Sequence, residues 1–152
     1  MRSKWFLTTL AVVSTVLECG AADRNAVLWQ EPGEITLRDW IWGPGGATRA
    51  PQPPYTFVEE DFKGTNAKIK VRDAKGDQWI VKFGGENHGE VFVSRLIYAM
   101  GYVTEPAYFV ASGTIRGAHD LRRAKPFLAK DGSFTRARFK LREHKTLTNA
   151  GG

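Results

Sequence analysis

Lys82 and Glu90 are the residues whose types and spacing point most directly to chemistry. Lys82 comes late in the alternating run Gln78–Phe83, and Glu90 falls early in the periodic run that starts at Asn87. A lysine near a strand end and a glutamate in the first turn of the next helix form an ion pair across the gap between sheet and helix. Such a pair fixes a cation. Polyphosphates are held by a fixed cation together with backbone N–H groups from a turn of small residues. The turn Gly64-Thr65-Asn66, earlier in the same segment, supplies that element. Gly64, Thr65, Lys82 and Glu90 are therefore the candidate phosphate-binding residues.

Each has a plainer reading. A single-glycine turn such as Gly64-Thr65 is usually just a hairpin connection, and Lys82 alone reads as a solvated strand-end lysine. Glu90 stands three residues after Asn87, where a capping-box carboxylate belongs. Their joint order raises the chemical reading above these. The acidic run Glu59-Glu60-Asp61 reads as a solvated strand end, and His88, His119 and His144 as surface residues without a partner at metal spacing.

The elements that must position these residues follow from periodicity. Tyr55, Phe57 and Glu59 alternate with Thr56 and Val58; Ala67–Val71 alternates apolar residues with Lys68 and Lys70. Trp79, Val81 and Phe83 point one way from their strand, Ile80 and Lys82 the other. Asp73–Asp77 is a turn with Gly76 where positive φ is easy. Asn87 predicts a helix N-cap. Phe92, Val93, Leu96, Ile97 and Met100 then recur at helical spacing, and Gly101 ends the helix. Pro106 opens a strand over 107–111. Ala118–Ala124 reads as a short helix, and 135–143 shows no clean period.

The 152 residues bound the chain to one domain plus tails. Its net charge of +6 is unevenly placed. Residues 23–112 carry 10 Lys+Arg against 12 Asp+Glu, a net of −2, and residues 113–152 carry 10 against 3, a net of +7. Arg2 and Lys4 precede an uncharged apolar run, Trp5–Leu17, and small residues follow at Gly20, Ala21 and Ala22. This is the pattern of a secretory signal peptide cleaved near Ala22. Spanning needs roughly 20 apolar residues, more than this run offers. An uncleaved membrane anchor is the competing reading. A lipid-modified Cys19 is disfavoured by Glu18 beside it. Cys19 is the one cysteine and lies in the segment expected to be removed, so the exported chain relies on its core rather than a disulfide. Between 23 and 55, tryptophans lie among Pro and Gly residues as an extended lead-in, with a short turn or helix near 35–40. Its GPGG segment reads as a turn.

Arg122, Arg123, Lys125, Arg136, Arg138, Lys140, Arg142 and Lys145 interleave with Phe127, Phe134 and Phe139. Basic residues with aromatics suit polyanions. The plainer reading is a solvated segment leading into a second lobe. Export argues against nucleic acid, but not against an anionic lipid surface or cell-wall polymer.

The stretch VKFGGENHGEVFVSRLIYAMGYVTEPAYFV, Val81–Val110, resembles the atypical kinase-like proteins of the HipA and phosphatidylinositol-kinase type. There a strand ending in lysine leads to a helix with an acidic residue, an "RL...GY" helix end and a strand entered near a proline. The chain is also similar to an uncharacterised family of exported bacterial proteins with the pattern "APxPPFTF...GTxPKxxVxDxxGxxWxVK". Here that pattern is carried by Ala50–Phe57, Gly64–Lys68, Val71–Asp73, Gly76, Trp79 and Val81-Lys82. The resemblance spans roughly 43–142. It implies a small lobe in which Lys82 meets nucleotide phosphates and Glu90 holds Lys82. Longer relatives continue into a second lobe with an "NNWD...D..N"-like catalytic and metal-binding stretch. No such stretch stands here; Asn149 is the only asparagine after Asn87.

The expected fold is α+β: a small antiparallel sheet with one main packed helix, in the manner of a kinase-like small lobe. The expected organisation is a signal peptide over 1–22, a Pro/Gly/Trp-rich lead-in over 23–55, the small-lobe domain over 56–112 and a basic, partly disordered segment over 113–152. The expected function is an exported, truncated kinase-like small lobe, not catalytic alone, binding nucleotide phosphates weakly at most. ATP and magnesium enter only if a second lobe is supplied. The partners implied are a second-lobe polypeptide or a second copy, meeting an apolar face built partly from 107–111. A binding module for an anionic polymer or membrane, acting through the basic C-terminal segment, is the alternative.

Overall fold

The computed structural model describes residues 29–142. The signal-type segment with Cys19, and His144, Lys145 and residues 146–152, lie outside the described residues. The elements are β1 (Tyr55–Asp61), β2 (Lys68–Arg72), β3 (Gln78–Phe83), α1 (Asn87–Ala99), β4 (Ala107–Arg116) and β5 (Ser133–Leu141). No helix among the described residues is long and apolar enough to cross a membrane.

The α+β class holds, with one correction to the sheet. The strands close into a barrel in the order β1-β2-β3-β5-β4. Neighbours pair antiparallel, but the closing pair is parallel and short: Tyr55 opposite Ile115 and Thr56 opposite Arg116. An open sheet would leave two edges of unpaired backbone groups. β4 runs far enough along β5 to reach β1 and remove them.

The expected boundary at 112/113 is also corrected. β4 runs through it, and Ser133–Leu141 is no tail but β5, hydrogen-bonded between β3 and β4. The missing period has a backbone cause. Arg136 has φ +55 and interrupts the strand. Phe134 points inward before it, and Ala137 and Phe139 point inward after it, so the alternation changes phase.

Ile69, Val71, Trp79, Val81, Phe83, Tyr108, Ile115, Phe134 and Phe139 fill the barrel, each 3% exposed or less. Trp79 meets Tyr108 edge-on at 5.7 Å between ring centroids. The aromatics of the basic stretch thus divide. Phe134 and Phe139 are core, and Phe127, exposed, stacks on Phe83 at 5.7 Å.

α1 turns a different side to the barrel than its apolar spacing predicts. Asn87, Val91 and Ala99 are its buried residues, while Phe92, Val93, Leu96 and Met100 are exposed. A closed barrel keeps its strands' apolar side chains inside. Its outer wall at α1 carries Lys82 and Arg138, which meet Glu90, and Phe109, which meets His88 with 3.6 Å between ring centroids. The lead-in tryptophans are likewise half-exposed. Trp29 donates from Nε1 to the Met100 carbonyl at 2.8 Å. The GPGG segment is a 3-10 turn that rests on Tyr108, whose hydroxyl donates to Gly46 O at 3.1 Å.

Residues 118–124 are not helical; the only helical turn in that loop is Lys125–Phe127. Its anchor is Glu60, part of the run read as a solvated strand end. The carboxylate accepts the backbone N–H groups of Arg122 (2.8 Å), Arg123 (2.8 Å) and Ala124 (2.7 Å). Burial is the largest single influence on this carboxyl and raises its pKa. The three N–H groups and the Arg123 charge outweigh it and hold the pKa below the ordinary 4.5. A depressed folded-state pKa means stability that is complete above the unfolded value and lost as pH falls through the folded one. Glu60→Gln is therefore expected to be less stable than the parent at neutral pH, with the gap narrowing as pH falls below the ordinary carboxyl value of 4.5. Denaturant melts of both proteins across that range check this; a pH-independent gap would contradict it.

Candidate functional site

β3 and β5 pair so that Lys82 lies directly opposite Arg138. Like charges in that position repel. α1 resolves the conflict with one side chain. Glu90 pairs through Oε1 with Lys82 Nζ, and through Oε2 with Arg138 Nη1 at 2.7 Å. A second carboxylate, Glu86, lies 3.2 Å from Lys82 Nζ. Lys82 is buried, whereas the Glu86 side chain is 49% exposed. The Glu86 carboxyl is held below its ordinary pKa by its own backbone N–H first and by Lys82 next.

The local fold that places Glu90 is not the predicted cap. Glu86, not Asn87, occupies the N-cap position, and no side chain caps the helix. Asn87 is the first helical residue and is fully buried. Its Nδ2 donates to Lys82 O at 2.8 Å and Arg136 O at 3.1 Å. One amide thus ties the first turn of α1 to β3 and to the irregular point of β5, and Glu90 rises one turn later over the Lys82–Arg138 pair.

The Gly64 turn joins this cluster indirectly. Asn66 Nδ2 donates to Glu86 Oε1 at 2.7 Å, so Glu86 links the turn to Lys82. Gly64 has φ +73, a conformation glycine adopts without steric cost. The turn's carbonyls are engaged by Arg123, whose guanidinium donates to Phe62 O (3.1 Å), Gly64 O (2.8 Å) and Thr65 O. Thr65, Asn66, Phe83, Glu86, Arg123 and Phe127 line a cavity of about 510 Å³ beside the turn. On the α1 side, Glu86, Glu90, Val93, Ile97, Thr104 and Arg138 line an open groove of about 910 Å³.

The structure thus brings Lys82 and Glu90 into contact and joins the turn of Gly64 and Thr65 to Lys82 only through Asn66 and Glu86. In the strand segment 107–111, Tyr108 is buried in the core, Ala107, Phe109 and Val110 are half-buried and Ala111 is exposed. Exposed apolar residues include Phe92, Val93, Leu96 and Met100 along α1 and at its end, Tyr102 and Val103 beyond it, and Leu37, Ile41 and Phe62 elsewhere. Sequence reading missed Glu86, Arg123 and Arg138 as site residues. Arg138 carried a faint signal, as the one cation between the inward residues Ala137 and Phe139. No protein-family model, curated protein or solved structure matches the chain.

Removing the charge of Glu90 while keeping its shape leaves Lys82 and Arg138 facing each other. Glu90→Gln is expected to destabilise the fold by about 1–2 kcal/mol, less than a fully buried pair because the site is partly open to water. A denaturant melt at neutral pH measures it; a change within about 0.3 kcal/mol would mean the bridge contributes nothing.

Proposed function

We propose that residues 55–141 are a kinase-like small lobe of an exported protein, which holds nucleotide phosphates weakly and does not transfer phosphate on its own. The observation that carries this reading is the Lys82–Glu90 ion pair between the end of β3 and the first turn of α1. The order of three strands, helix and strand supports it, as does the Gly64 turn linked to Lys82 through Glu86.

In this reading Glu90 stays with Lys82 as its positioning partner. The phosphate displaces Glu86, the more exposed of the two carboxylates. Displacing a bound carboxylate and facing water on one side both weaken binding. Affinity is then no better than about millimolar, around −4 kcal/mol. Phosphoryl transfer also needs metal ions on the β- and γ-phosphates and a residue that orients the acceptor. The reading assigns those parts to a second-lobe polypeptide, which would meet the apolar residues exposed on α1; a second copy of the chain is the other candidate for that surface.

An ATP titration followed by amide chemical shifts tests the binding. Around Lys82, Lys82→Ala is expected to abolish the ATP-induced shifts, and Glu86→Gln, by removing the competitor, to tighten the binding those shifts report by roughly threefold to tenfold. Equal ATP-induced shifts around position 82 in the parent and Lys82→Ala would sink the reading. Transfer from radiolabelled ATP with magnesium or manganese is expected to stay at background. Robust transfer that Lys82→Ala removes would show the chain to be catalytic.

A further inference from the structure

The basic stretch of the C-terminal third separates into two groups in the fold. Arg138 and Lys140 on β5 are engaged with Glu90 and Glu105, and Arg123 is bound to the carbonyls of the Gly64 turn. On the loop between β4 and β5, Arg122, Lys125 and Lys130 are exposed, and among the described residues no carboxylate or carbonyl engages their side chains. These three side chains, with His119 and Asp120, border one concave groove of about 740 Å³.

We propose that this groove is a binding site for a phosphate-bearing anion, separate from Lys82. Gathering three cations around a hollow with one carboxylate costs repulsion, and a concave wall of one sign concentrates its field. Surface lysines ordinarily relieve such repulsion by moving apart, but this loop's backbone is fastened. Glu60 holds the N–H groups of Arg122, Arg123 and Ala124. At the other end, Ala129 N donates to Ser133 O and Gly132 N to Ala129 O, both at 2.9 Å. His119 is fixed by Nδ1 at 2.6 Å from Gly117 O and by edge-on contact with Phe57. The volume suits a small ligand. Three positive charges match an oligophosphate or phosphomonoester better than a single carboxylate. Arg122 offers a planar fork for two phosphate oxygens, and the lysines offer point charges.

The probe is tripolyphosphate, titrated into the full chain and followed by amide shifts. Shifts are expected at 118–130. Arg122→Gln/Lys125→Gln/Lys130→Gln is expected to lose about tenfold or more in affinity, and Lys82→Ala to keep the parent's. Asp120→Asn removes the groove's carboxylate and is expected to tighten binding, a gain that misfolding would not produce. Vesicles bearing a phosphomonoester lipid distinguish the source. Retention that the triple variant loses identifies a headgroup, and tripolyphosphate binding without retention identifies a soluble phosphate. Parent-like affinity in the triple variant, or shifts confined to the surroundings of Lys82, would overturn the proposal.

Discussion

Three cations lie in register across adjacent strands of the barrel: Lys68 on β2, Lys82 on β3 and Arg138 on β5. Much of the architecture answers the problem this row creates. At one end Asp61 on β1 stands opposite Lys68, with 3.9 Å between their charged atoms. At the other, no strand supplies a carboxylate, and α1 brings Glu86 and Glu90 instead. The helix is therefore held where its first turn reaches the row, and Asn87 fixes that turn by donating to β3 and β5 backbone carbonyls. An ion cluster and one buried amide seat the helix more than an apolar stripe does, so Phe92, Val93, Leu96 and Met100 are left facing outward.

This explains what could be read in advance and what could not. β2 and β3 were legible because each keeps a strict two-residue alternation on a barrel wall with one wet side. The Lys82–Glu90 contact was legible because a strand end followed by a short link and a helix leaves few places for the two side chains to go. β5 was illegible because Arg136 shifts its phase, and the closure because a two-residue parallel pairing leaves no periodic trace. The helix face was misread because apolar spacing marks a stripe without saying what it meets; the barrel wall beneath α1 presents Lys82 and Arg138 beside Phe109. Glu60 was misread because its partners are backbone N–H groups some sixty residues later, and backbone donors have no sequence signature.

The same physics sorts the cations by function. Lys68, Lys70, Lys82, Arg138 and Lys140 on the strands pair with carboxylates within the fold, and Lys82, itself buried, has in Glu86 a half-exposed partner that a ligand would displace. On the β4–β5 loop, Arg122, Lys125 and Lys130 have no carboxylate engaging their side chains among the described residues, whereas Arg123 is bound to the Gly64 turn. Phosphate chemistry thus has two different footings. At Lys82 an incoming anion competes with a carboxylate already in place, and at the loop it would relieve repulsion among three cations that Asp120 offsets only in part.

The most direct measurement of the bridge is a set of double-mutant cycles among Lys82→Met, Arg138→Met and Glu90→Gln, read as unfolding free energies at low salt. Glu90 is expected to couple favourably to both cations by about 1 kcal/mol each. Lys82 and Arg138 are expected to couple unfavourably to each other, and more strongly once Glu90 is neutralised. Additivity of all three pairs within about 0.3–0.5 kcal/mol would contradict this picture and leave the helix held by packing alone.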